Sequence, residues 1–135
     1  MTIPDKIPGL RWLTVLLAAY FALWIMREGN LAQTVLLGVS SCGIAAAHLI
    51  QRYGRGRVLP HWQWLAGMTI AGLFGGGSSV FATLAFMAVK TGLHAHGPEF
   101  TPAEITWVWQ HLTLWILGGG LLGLGLSTLL LGLRQ

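Results

Sequence analysis

The sequence predicts an all-α integral membrane protein. The expected fold is a four-helix bundle of two antiparallel helical hairpins, the second longer and closed by a glycine-rich interface. Three observations lead there. The 135 residues are 54% hydrophobic and only 9% charged, whereas a soluble domain carries about 25% charged residues. Too few charges remain to cover a water-facing surface. Apolar runs recur at about 10–26, 31–50, 61–90 and 102–133, so residues 1–135 read as one four-span domain. Finally, Gly75, Gly76 and Gly77 lie in the third run and Gly118, Gly119 and Gly120 in the fourth. The midpoint of their centres falls between Gly97 and Pro98, inside the polar loop. Folding there sets Gly76 opposite Gly119, where glycine lets two backbones approach closely in lipid.

The first span follows Lys6 and Arg11, as in a signal sequence. No small-residue cleavage site follows it, and an uncleaved span is the expectation. Arg27, Glu28, Gly29 and Asn30 make a tight turn into the second span. A basic loop with Arg52, Arg55 and Arg57 comes next, and Pro60 opens the third span. The polar loop 91–101 precedes the fourth. The last two spans each have about 29 helical residues, roughly 43 Å, against a hydrocarbon core of about 30 Å. They must tilt or protrude.

Charge sets the orientation. Lys6, Arg11, Arg52, Arg55, Arg57 and Arg134 fall on one side, and Arg27 and Lys90 on the other with Glu28, Glu99 and Glu104. The positive-inside rule then places both termini in the cytoplasm of a bacterial-type cell membrane. Arg52, Arg55 and Arg57 serve as topology signals, with attraction to anionic headgroups as their second role. Trp12, Trp62 and Trp64 fall at the inner boundary and Trp24, Trp107 and Trp109 at the outer, where amphipathic rings gather. Only Trp115 lies deeper. The net charge of +4 comes from scattered residues without a basic stripe, so no nucleic-acid partner is expected.

Small residues recur at Gly67, Ala71, Gly75, Ser79 and Thr83, with Gly72 and Gly76 in a neighbouring row. The fourth span answers with Gly119, Gly123 and Ser127, and with Gly118, Gly125 and Gly132 seven apart. These are small-xxx-small packing rows. A pore lined by glycine carbonyls is the other reading of the same pattern. Extending the register outward predicts a Lys90–Glu104 ion pair, with His111 one layer below, near Thr83. Thr101, Pro102 and Glu104 also spell a capping box, with Phe100 and Ile105 as its hydrophobic staple.

The polar outer cluster, Lys90, His94, His96, Glu99, Glu104 and His111, is the candidate functional site. His94 and His96 with Glu99 are ligand types suited to zinc or copper, though three or four converging ligands are usual. His48 and His61, at similar depth, are the pair a b-type haem would need. No cofactor is expected to be required. Cys42 is the only cysteine, so no internal disulfide forms.

Residues 75–83 resemble part of the third span of small four-helix fluoride channels, with Gly, Ser, Phe and Thr in similar order. That resemblance implies ion passage. The Asn of that family's second span is absent, and the charge bias opposes dual topology. Four-span drug exporters carry a glutamate in the first span, and none occurs here. No nucleophile–base set, phosphate loop or metalloprotease motif points to an enzyme. The leading expectation is a structural, accessory or assembly subunit, partnered by lipid, other membrane subunits or its own copies. An oligomeric channel or transporter is the alternative, and a metal- or haem-binding protein the second.

Overall fold

The structure is a computed structural model that describes residues 3, 5–93, 97 and 99–133. It is all-helical, with five helices in order: α1 Leu10–Met26, α2 Leu31–Gly54, α3 His61–Leu93, α4 Pro102–Gln110 and α5 Leu112–Gly132. Among the described residues there is no sheet. Three helices, α2, α3 and α5, are long and apolar enough to cross a membrane, and α1 is a shorter apolar helix.

Local chemistry starts these helices. Gly9 takes a left-handed φ of 78° ahead of α1. The Asn30 side chain accepts the Gln33 N–H at 3.1 Å and caps α2. At α4 the Thr101 hydroxyl accepts the Glu104 N–H at 3.2 Å, and the Glu104 carboxylate accepts the Thr101 N–H at 2.8 Å. Phe100, at the staple position, is buried.

Two boundaries differ from expectation. α2 runs to Gly54, so residues 51–54 are helical rather than loop. The basic loop is therefore shorter, and Arg52 sits in the last helical turn, where a cation favours the helix dipole. The fourth span is split at His111, with φ −90° and ψ 7°. The His111 N–H still bonds the Trp107 carbonyl at 3.3 Å, and the Trp115 N–H bonds the His111 carbonyl at 3.0 Å. This is a local distortion in a nearly continuous helical path.

α3 is the central element. It packs most extensively on α5 and next on α2, while α1 rests on α2. A Cβ added at Gly72 would collide with the Gly119 carbonyl, and one at Gly76 with the Trp115 carbonyl. One at Gly123 would strike the Met68 carbonyl, and one at Gly119 would come within 3.0 Å of Gly76 Cα. The α2 contact is similar: a Cβ at Gly38 would strike the Thr83 hydroxyl and lie 3.0 Å from the Ser79 carbonyl. Between α2 and α5 an open groove of about 680 Å³ runs over α3. The helices therefore fan around α3 and leave this face open.

Chain connections define two ends. At the basic end Ile3 bonds the α2–α3 loop through its N–H to the Arg57 carbonyl, 3.1 Å, and accepts the Gly56 N–H at 3.2 Å. Arg55 pairs with Asp5 at 3.1 Å. At the other, acidic end the Gly29 N–H donates to the Glu99 carboxylate at 2.6 Å. α1 thus runs from one end to the other and α2 returns.

Candidate functional site

The acidic end holds the most unusual side chain. Lys90, in the last turn of α3, has no exposed surface. Its ammonium donates to the Trp24 carbonyl at the end of α1, and Nζ sits 4.4 Å from the centre of the Trp24 ring. That is cation–π distance. Glu99 attracts this charge and Arg27 repels it. Trp24 is itself only 1% exposed, and its Nε1–H points to the Thr34 hydroxyl at 3.3 Å. Thr34 in turn donates to the Asn30 carbonyl at 2.8 Å. Phe21 and Phe86 complete an aromatic wall, their centroids 5.8 and 6.0 Å from that of Trp24.

The Lys90–Glu104 pair expected from the register does not form. Glu104 is held within its own capping box, where its carboxylate also accepts the Thr101 hydroxyl at 2.9 Å. Lys90 is seven residues beyond Thr83, and Thr83 faces α2. The same helix face carries Lys90 toward α1 rather than α4. Thr83 donates to the Ser79 carbonyl at 2.8 Å. His111 places Nδ1 2.7 Å from the Trp107 carbonyl, with its ring 4.3 Å from the Trp107 ring centre. Trp24, near the end of α1, and Trp64, in the first turn of α3, are buried within the protein. Trp12, Trp62, Trp107 and Trp109 are exposed.

Glu99 joins the α3–α4 connection to the α1–α2 turn. Its close fit excludes a side chain at residue 29, because a Cβ there would lie 2.7 Å from the carboxylate. His94 and His96, the metal candidates, lie outside the described residues. Among the described residues no three His, Cys, Asp or Glu side chains gather as a metal site would require. His48 Nε2 lies 2.9 Å from the Thr14 hydroxyl, joining α2 to α1, and His61 is exposed at the start of α3.

The glycine triplets divide by position. Gly76 and Gly119 meet backbone, whereas Gly77 and Gly120 face the side chains of Ile116 and Leu73. Gly75 and Gly118 meet nothing within 4 Å and line the groove. Arg52 lies over the Tyr53 ring at 5.6 Å, Arg55 is paired with Asp5, and Arg57 borders a second cavity at the basic end.

No protein family, curated protein or solved structure matches this chain.

Proposed function

We propose that this chain is a multi-pass integral membrane protein serving as a structural, accessory or assembly subunit, without catalytic activity. In this reading it lies in a bacterial-type cell membrane with both termini cytoplasmic. One observation carries the role: polar groups at the acidic end hold helices together. Lys90 fastens α3 to α1, and Glu99 fastens the α3–α4 connection to the α1–α2 turn. Glu104 and Thr101 start α4. Side chains committed in this way make a rigid scaffold. The groove beside α3 is lined almost wholly by apolar groups, which suits lipid or protein contact better than ion passage, where rings of charge or carbonyl oxygen are needed.

Purification in mild detergent tests the assignment. The expected result is a stable complex larger than the chain or its dimer, containing at least one other membrane protein. A homogeneous self-assembly that carries ions or fluoride across liposomes would overturn it.

A further inference from the structure

We propose that the basic end holds one anionic phospholipid, its phosphate beside Arg57, Gln63 and Trp64 and one acyl chain lying along α3. The inference rests on the membrane embedding proposed above. A cavity of about 380 Å³ opens there, bordered by Tyr53, Arg57, Gln63 and Trp64. Its deeper wall includes Ile50, Met68 and Ala71, which also line the 680 Å³ groove. The two spaces therefore share part of one apolar wall. Ligand sites commonly combine about 300–1,000 Å³ of apolar space with a few placed polar groups.

Two side chains that border the cavity bear on the choice of ligand. Trp64 is 6% exposed, and its buried Nε1–H has no hydrogen-bond partner among the described residues. Buried indole N–H groups ordinarily find one, because an unpaired donor keeps its full desolvation cost. Arg57 is the second. Asp5, the one acid at this end, is taken by Arg55. The Arg57 guanidinium makes neither a hydrogen bond nor an ion pair among the described residues. A phosphate supplies an acceptor to Arg57, and a turn of the Trp64 indole toward the cavity would bring its N–H to the same group.

The apolar wall along α3 from Gln63 to Ser79 is about 24 Å long at 1.5 Å per residue, and the acyl chain lies along it. Arg57 is the cationic side chain bordering the cavity, and basic groups near a membrane surface favour anionic headgroups over zwitterionic ones.

Lipid retention on the full purified chain tests this by native mass spectrometry with dioleoyl phosphatidylglycerol and dioleoyl phosphatidylcholine. Phosphatidylglycerol should be retained about tenfold better, as expected for hydrogen bonds to a charged group. Arg57→Gln should bring the two lipids near parity, while Arg52→Gln leaves the preference intact. Trp64→Phe should weaken phosphatidylglycerol retention about fivefold. It should also raise Tm in phosphatidylcholine micelles, where it removes an unsatisfied donor. Equal retention of the two lipids overturns the site, as does equal loss in Arg52→Gln and Arg57→Gln. A Tm rise for Trp64→Phe of the same size in both lipids does so too. Displacement by glycerol 3-phosphate would show that phosphate alone occupies the site and overturn the lipid assignment. Release of the chain from membranes by carbonate overturns the embedding itself. Membrane retention without lipid preference overturns only the site.

Discussion

Lys90 shows how one side chain can hold two elements. Its ammonium leaves water entirely, so it needs compensation from every neighbour. The Trp24 carbonyl, the Trp24 ring and the field of Glu99 supply it. Truncation removes the cation–π contact and leaves a void beside Met87 and Phe86, members of the same apolar cluster. Lys90→Ala should therefore cost about 2–4 kcal/mol, from cavity formation plus the lost ring contact. Thermal unfolding in detergent reads this directly, and an unchanged Tm would contradict the role. Thr101 offers a smaller test. Its hydroxyl caps α4 at an exposed site, so Thr101→Ala should cost about 1 kcal/mol. The cap was legible in sequence because all its parts lie within a few consecutive residues. The partner of Lys90 was not, since the register related only the third and fourth spans, and Trp24 is 66 residues away on α1.

At the scale of the helix, the small residues of α3 serve two neighbours. Four residues advance a helix by slightly more than one turn, so a period-four row drifts about 40° per step. The row Gly67, Ala71, Gly75, Ser79 and Thr83 therefore winds around α3 and cannot stay on one partner. Gly72 and Gly76 meet α5, while Ser79 and Thr83 meet α2 at Gly38. Sequence spacing exposed the small residues but not this division, because the position of α2 was not encoded in the α3–α5 hairpin. The division makes opposite predictions for one type of substitution. Gly119→Ala forces a methyl group into the Gly72 carbonyl, and overpacking should cost about 1–3 kcal/mol. Gly75→Ala and Gly118→Ala add a methyl group in open space. Each should be neutral or should stabilise by up to about 1 kcal/mol through helix propensity. Unfolding of the three variants under one condition checks the contrast, and equal losses at all three would refute it.

For the molecule as a whole, surface and charge converge on one arrangement. The accessible surface is 8805 Å² for a 14.6 kDa chain, against about 6,900 Å² for a soluble monomer of that mass. Much of the difference is apolar: Phe74, Leu121 and Leu122 are 74%, 70% and 76% exposed. A hydrocarbon solvent makes such exposure favourable. The ends then acquire direction. Ile3 bonded to the 55–57 loop places the N-terminal segment and that loop together, and Gly29 bonded to Glu99 joins the two opposite connections. α1 consequently runs antiparallel to α2 between the two ends, although its 17 residues sit at the lower limit of about 17 for a spanning helix. Its brevity is matched by the turn at residues 27–30, which is drawn against Glu99. The basic end carries Lys6, Arg11, Arg52, Arg55 and Arg57 against Asp5 alone, whereas three of the four acids lie at the other end. In the proposed membrane reading, the positive-inside rule predicts that the basic end faces the cytoplasm. Reporter fusions at residues 55 and 97 should thus register opposite sides, with 55 cytoplasmic. A cytoplasmic signal at 97 would break the proposed four-span path, because the Gly29–Glu99 bond requires both acidic-end connections to share one side. Replacing Arg52, Arg55 and Arg57 together with Gln should leave mixed orientations, since the basic residues at that end, counting Arg134, would fall from six to three, against Arg27 and Lys90 at the other.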